Sequence, residues 1–192
     1  MWSSNLQKMN WRGFFDWGIT PEEKNYEFPC DQVNDPPHTL YYRGITVKAS
    51  AERLFSWLCQ MRVAPYSYDW LDNLGRRSPR KLTPGMTQLA SGQVFMTGFE
   101  LVDFEPNLHI TIRSRDLPIW MFIFGDIAIT YMIVSRTQNH CRLLVKMRVA
   151  YPKGPVMKSI MRLLLPPGDT FMMYKQLRTF RELAETKYEN LV

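Results

Sequence analysis

The sequence predicts one α+β domain in which a curved antiparallel sheet wraps around a long C-terminal helix. Three observations indicate this class: a length of 192 residues, strand patterns that dominate residues 88–151, and a long apolar stripe near the C-terminus. This length is enough for one sizeable domain and too short for two comfortable ones. A sheet with one apolar face and an amphipathic helix bury their apolar surfaces by packing against each other.

The first 38 residues are predicted to form an arm that packs on the domain, and residues 39–192 to form the domain itself. The arm has no regular periodicity beyond a short helix start, with Thr20 as N-cap and Pro21 in the first turn. It ends at NDPPH, a run of turn-forming residues. Residues 39–49 then have the composition of a first strand.

An amphipathic helix is predicted directly after this strand. Ser50 is suited to be its N-cap, and Pro65 would end it. The segment YSYDWLDN that follows predicts a second short helix. The apolar face of the first helix is set by the spacing i, i+3, i+4 and i+7 of Leu54, Trp57, Leu58 and Met61.

Apolar and polar residues alternate through most of residues 88–151, which is typical of antiparallel strands with one covered face. Residues 117–134 form the most apolar run and approach the length of a membrane span. Pro118, Gly125 and Asp126 interrupt this run, so it is predicted to be two buried strands that meet at a Gly125–Asp126 turn.

The C-terminal region returns to helical periodicity. Residues 155–165 are apolar on most sides, and the sequence PPGD at 166–169 is predicted to break the helix. A long amphipathic helix is expected after the break, with a stripe formed by Met173, Leu177, Phe180, Ala184 and Tyr188.

The charge balance is basic, with 24 Lys and Arg against 18 Asp and Glu, and the pI is about 9.3. The basic residues are scattered, and the densest cluster, GRRSPRK at 75–81, is interpreted as a solvated loop, so no nucleic-acid partner is predicted. The three cysteines form no CxxC pair, which predicts neither disulfide nor metal site. A cytoplasmic protein without a signal peptide or stable membrane insertion is expected.

Several stretches resemble the polyketide cyclase/dehydrase-like branch of the START-like (SRPBCC) superfamily. They are WGITPEE, PCD, YRGITVKASAERLFSWLCQM, YSYDWLDNLGRRSP and KQLRTFRELAE, and together they extend from Trp17 to Glu185. The resemblance implies a helix-grip fold that holds an apolar ligand between sheet and helix. The segment RVAP at 62–65 departs from the Gly-rich stretch common in that family, which affects the expected entrance of the cavity.

Large apolar residues are expected near every wall of such a cavity, with tyrosines at its rim. Aromatic residues make up 14% of the chain and there are 12 methionines, a composition that suits either a core or an adaptable cavity. The candidate ligand-binding residues are Trp57, Tyr66, Tyr68, Phe95, Phe99, Trp120, Phe122, Tyr131, Phe171 and Tyr174.

No catalytic residue and no cofactor is predicted. Asp69 and Asp72 could share a helix face as an acid–base pair, but two exposed acids beside arginines explain them more simply. Asp126 is interpreted as a turn residue. Arg113 and Arg148 are expected to point to solvent, and either could anchor a ligand carboxylate if it pointed inward.

Binding of an apolar small molecule or lipid is the leading function. A cyclase/dehydrase-type enzyme acting on an apolar substrate is the first alternative, and a peripheral membrane or lipid-transfer protein is the second. The sequence leaves the ligand, the presence of a reaction and the oligomeric state open.

Overall fold

The computed structural model describes residues 12–33, 39–72 and 75–186. Short 3-10 turns lie at Glu23–Asn25, Pro29–Gln32 and Gln60–Arg62. The helices and strands, in chain order, are α1 (Arg12–Phe15), β1 (Asp16–Trp17), β2 (Thr39–Val47), α2 (Ala51–Cys59), α3 (Asp69–Asp72), β3 (Val94–Phe95), β4 (Phe99–Glu105), β5 (His109–Ser114), α4 (Pro118–Ile123), β6 (Asp126–Thr137), β7 (His140–Ala150) and α5 (Pro155–Glu185).

The strands form one curved sheet in the order β1-β2-β7-β6-β5-β4-β3. All neighbours are antiparallel except β1 and β2, which confirms the predicted antiparallel sheet. Alternate residues of β7, such as Val145 and Met147, enter the main core, where α2 and α5 cover that face. The predicted N-cap of α2 is also confirmed, because the Ser50 hydroxyl accepts a hydrogen bond from the Arg53 amide.

Helix α5 runs without a break through Pro166 and Pro167, so the predicted break at PPGD is wrong. Neither proline can donate to the carbonyl four residues earlier. Contacts in the next turn compensate: Arg43 binds the Asp169 carboxylate, and the Thr170 hydroxyl donates to the Phe14 carbonyl. The C-terminal half of α5 packs on the core through the predicted stripe, of which Tyr188 lies outside the described residues.

The predicted hairpin of residues 117–134 is also wrong, because its first half is helix α4. Pro118 occupies the first helical turn, where a missing amide proton costs nothing. Gly125, with φ of +76°, donates to the Met121 carbonyl and turns the chain into β6. In the part of the chain that the structure describes, no helix is long and apolar enough to cross a membrane.

Residues 19–33 of the arm pack on the second face of the sheet, whereas Phe15 and Trp17 pack against the main core. Phe28 and Cys30 are buried on that second face against Ala128 and Leu144. Arg148 is buried beneath this segment and donates to the carbonyl of Cys30, so the prediction that it points to solvent is wrong. The division of the chain at residue 38 stays a prediction, since residues 34–38 lie outside the described part.

Arg113, Asp126 and His109 pair with side chains of neighbouring strands. The Arg113 guanidinium binds both carboxylate oxygens of Asp126, at 3.0 Å from Nε and 2.7 Å from Nη2. This pair raises the pKa of Arg113, chiefly through the hydrogen bond to Asp126. His109 is buried, and its Nε2 lies 2.8 Å from the Asp103 carboxylate.

Candidate functional site

A pocket of about 380 Å³ lies between the tyrosine-rich segment after α2 and the C-terminal half of α5. It combines aromatic rings, hydroxyl groups and cationic side chains. Its lining residues are Tyr66, Ser67, Tyr68, Asp69, Trp70, Gly75, Arg77, Ser78, Arg80, Lys175 and Thr179.

Tyr66 forms the inner end of the pocket in an unusual backbone conformation. Its φ is +59°, a left-handed value that a bulky residue rarely adopts. The ring is 1% exposed and packs between Trp57 and Phe180, with ring centroids 6.2 Å and 5.4 Å away. Backbone strain of this kind persists where the surroundings enforce it, and it concentrates at functional sites.

Gln176 holds this strained segment against the sheet. Its side-chain amide donates to the Pro65 carbonyl at 2.6 Å, and its carbonyl accepts from the Tyr131 hydroxyl at 2.8 Å. Burial raises the pKa of the Tyr131 phenol, so the hydroxyl remains a neutral donor. Gln176 was not predicted from the sequence, although a polar residue beside the apolar stripe of α5 is a usable signal.

Asp69 closes the outer loop of the pocket. Its carboxylate accepts from the Ser78 amide at 2.9 Å and from the Ser78 hydroxyl at 2.5 Å. Its carbonyl accepts from the Gly75 amide at 2.8 Å. These bonds fix the position of the loop that carries Arg77. The side chain of Asp72, the other acid considered, lies outside the described residues.

Helix α5 supplies the opposite wall with residues spaced four apart. Phe171 stacks on Tyr68 with ring centroids 4.2 Å apart and an interplanar angle of 2°. Lys175 and Thr179 lie one and two turns further along the same helix face and line the pocket. Tyr66 and Tyr68 were predicted as rim residues from the sequence, whereas Lys175 and Thr179 were not.

The ten candidate ligand-binding residues occupy different environments. Trp57, Phe95 and Tyr131 are fully buried in the main core, whereas Phe122, Phe171 and Tyr174 are about half exposed or more. Phe99 and Trp120 are partly buried, and Trp120 contacts Gly98. Only Tyr66 and Tyr68 among the ten line the pocket. A cavity lined by all ten stays a prediction.

Among the described residues, no group of three or more His, Cys, Asp and Glu side chains is placed to hold a metal ion. All three cysteines are buried and free. Burial raises the pKa of Cys59 to about 12 and that of Cys141 to about 11, so both are thiols at neutral pH.

Comparison with family models gives no match for the sequence, and comparison with curated proteins gives none either. The structure is similar to truncated norcoclaurine synthase from Thalictrum flavum, with a TM-score of 0.52 and 14% identity over 80% of this chain and 99% of that chain. For a second structure of norcoclaurine synthase from Thalictrum flavum, the TM-score is 0.50 and the identity is 13%, over 88% of this chain and 98% of that chain. At these identities the likeness concerns the fold alone, and it confirms the predicted START-like helix-grip fold.

Proposed function

We propose that the protein binds a small organic anion with an aromatic or otherwise apolar body in the pocket between the tyrosine-rich segment and α5. The observation that carries this proposal is the lining itself, in which aromatic rings and three cationic side chains surround one cavity. The proposal keeps the predicted class of ligand, a small molecule with apolar surface, and adds an anionic group to it.

The size and composition of the pocket suit a small molecule. Its volume of about 380 Å³ falls in the range of about 300–1,000 Å³ that is usual for ligand sites. Tyr68 and Trp70 offer flat apolar rings for contact with the body of a ligand. The Thr179 hydroxyl also lines the pocket; it donates to the Lys175 carbonyl at 2.9 Å, so towards a ligand it can act as an acceptor.

The charges of the lining favour an anion. Among the described lining residues, Arg77, Arg80 and Lys175 contribute three positive charges, against one negative charge from Asp69. One carboxylate offsets one of these three charges, so the described lining keeps a positive balance. Arginine side chains bind carboxylates and phosphates through paired hydrogen bonds, which gives both affinity and orientation.

The same lining favours binding over the cyclase/dehydrase alternative. Its described residues include no histidine, cysteine or glutamate, and these are common general acids, bases or nucleophiles. The carboxylate of Asp69, the only one among the described lining residues, supports the loop by accepting from Ser78. The described lining therefore supports recognition of a ligand more directly than a reaction.

Two matched fluorescent probes test the proposal directly. Anilinonaphthalene sulfonate and N-phenylnaphthylamine share nearly the same aromatic body, but only the first carries an anion. We expect the sulfonate to bind saturably and more tightly than the neutral amine. Native mass spectrometry of the purified protein, before and after denaturation, would identify any ligand retained from the cell.

Substitutions then locate the site. The double variant R77Q/R80Q is expected to weaken binding of the sulfonate about tenfold or more, because it removes charge-assisted hydrogen bonds, and to leave binding of the amine unchanged. R136Q is the matched control, since Arg136 does not line the pocket. Equal affinity for the two probes, or equal binding of the sulfonate by R77Q/R80Q and R136Q, would contradict the proposal.

A further inference from the structure

We propose that α4 and the first half of α5 form a surface that docks on anionic phospholipid membranes. This docking surface consists of two sets of side chains and is independent of the proposed pocket. Its apolar members are Ile119, Phe122, Val156, Ile160, Leu163 and Leu164, and its cationic members are Lys153, Lys158 and Arg162.

The apolar members are unusually exposed for their size. In the described part of the chain, every large apolar side chain more than half exposed lies on α4 or α5, apart from Trp70. Val156 is 72% exposed, and Ile119 and Phe122 are each 62% exposed. Scattered single exposures need no explanation, but a contiguous apolar group marks an interaction site. Helices α4 and α5 contact each other, and both carry such exposed side chains.

The spacing of these residues directs them away from the fold. Val156, Ile160, Leu163 and Leu164 stand at i, i+4, i+7 and i+8, which is one face of a helix. Such a stripe normally faces a core. Here no residue of α4 is buried, and the only buried residue of α5 before Met173 is Pro166. The stripe is therefore an apolar face that the rest of the described chain leaves uncovered.

The charges of this segment indicate which partner covers the apolar face. Residues 151–168 contain Lys153, Lys158 and Arg162 and no acidic residue, and residues 117–125 carry no charge. At 3.6 residues per turn, Lys158 and Arg162 point roughly 145–175° away from the centre of the stripe, on the polar side of the helix. An apolar face with lysine and arginine on the polar face is the pattern of helices that lie in the interface of anionic membranes.

The segment has the dimensions to lie on a bilayer but not to cross it. The stretch from Pro155 to Pro166 is about 17 Å long at the usual helical rise, well short of the hydrocarbon core of about 30 Å. At its far end Asp169 is bound to Arg43, at 2.5 Å, which fastens the helix to the sheet. The docking surface is therefore presented by a helix whose other half is fixed in the fold.

Vesicle flotation tests the inference with the full chain. One vesicle preparation contains phosphatidylcholine alone, and the other contains equal amounts of phosphatidylcholine and phosphatidylglycerol. We expect the protein to float with the anionic vesicles, to bind the neutral ones more weakly, and to lose binding as salt is raised. Each cation contributes a factor of about five to the partition coefficient on an anionic surface, so K158Q/R162Q should lower it by about twenty-fold or more.

The apolar arm of the test uses L163Q/L164Q, which should lower the partition coefficient at least about tenfold. L108Q is its matched control, because Leu108 is an exposed leucine in the β4–β5 turn; R136Q is the control for the charged variant. Circular dichroism checks that each variant is folded, which is expected since the replaced side chains are exposed. Absence of flotation with both vesicles, or equal binding by L163Q/L164Q and L108Q, would overturn the inference. The inference would also be overturned if the wild-type protein self-associated without binding vesicles and L163Q/L164Q abolished this self-association.

Discussion

Replacing Asp169 by asparagine should destabilise the protein strongly, because it leaves the Arg43 guanidinium buried without a counter-charge. Arg43 is 1% exposed and the Asp169 side chain 12% exposed, with 2.5 Å between Nη2 and Oδ2. Arg43 also donates to the carbonyls of Phe14 and Phe15, at 2.8 Å and 2.5 Å. It therefore joins three elements, namely β2, α1 and α5, around one positive charge.

The expected loss follows from the kind of contact that is removed. Deleting one partner of a buried ion pair costs about 3–5 kcal/mol. Asparagine keeps an oxygen that can accept from Arg43, so D169N should fall near the lower end, at about 3 kcal/mol. For a chain of this size, that loss corresponds to a decrease in Tm of about 6–12 °C. D16N is the matched control, because the Lys24–Asp16 pair is comparably short, at 2.6 Å, but 33% and 38% exposed. Its loss should stay below about 1 kcal/mol.

The variant R43M adds a test with pH. Burial raises the pKa of the Asp169 carboxyl, and Arg43 opposes that rise. Without Arg43 only the rise remains, so the folded-state pKa lies further above the unfolded value. Protonation of the Asp169 carboxyl therefore stabilises folded R43M. This stabilisation is complete at pH values below the pKa of the carboxyl in the unfolded state, and it is lost as pH rises through the pKa in the folded state. The deficit of R43M relative to wild type should therefore be smaller in mildly acidic solution than at neutral pH.

Urea unfolding followed by circular dichroism measures all of these quantities from the shift in midpoint at constant slope. Equal losses of unfolding free energy in D169N and D16N at neutral pH would contradict the prediction. A deficit of R43M that does not change with pH would show that the Asp169 carboxyl is solvated in the variant.

Three further predictions concern the turn into β6, the arm and the thiols. G125A should lower the free energy of unfolding in urea by more than about 2 kcal/mol, because a Cβ would lie 2.1 Å from the Ala150 carbonyl oxygen. The control G85A is also at positive φ but in open space, so it should cost about 1–2 kcal/mol. Equal losses in the two variants would contradict the steric explanation. Hydrogen bonds from Arg142 lower the pKa of Glu23, so the stability from this pair is present above the unfolded pKa and is lost as pH falls through the folded one. Wild type should thus exceed E23Q in stability at neutral pH and approach it below about pH 4, and a constant difference would count against this. Native Cys59 should resist thiol reagents and react once the chain is denatured, since burial raises its pKa to about 12; rapid labelling of the folded protein would show that it is accessible.

The elements that the sequence predicted correctly are those whose signal is periodic and local. Alternation specified the strands of the sheet, and the 3.6-residue spacing specified α2 and the stripe of α5. The two errors arose where composition and tertiary contacts disagree. Residues 118–123 favour a strand by composition, but Pro118 and Gly125 fit the start and end of a short helix. Pro166 and Pro167 predict a break, but contacts of Asp169 and Thr170 with distant residues accompany a continuous helix.

The candidate site was predictable only on one wall. Tyr66 and Tyr68 were recognisable because aromatic residues are dense there, a property of the local sequence. Lys175 and Thr179 face that segment only because the fold brings together residues about a hundred positions apart, as in the bond from Gln176 to Pro65. No local pattern encodes which turn of a long helix lies opposite a given loop, so that half of the pocket required the structure.

The two prolines inside α5 also determine where this helix is least stiff. Pro166 and Pro167 cannot supply the amide protons that the carbonyls of Arg162 and Leu163 would otherwise accept, and helices bend most readily at such positions. This joint lies between the exposed first half and the half fixed by Arg43. A force on the exposed half is therefore expected to change the angle at the joint before it displaces Lys175. Contacts made by the exposed half of the helix are therefore expected to leave the pocket wall formed by Lys175 and Thr179 in place.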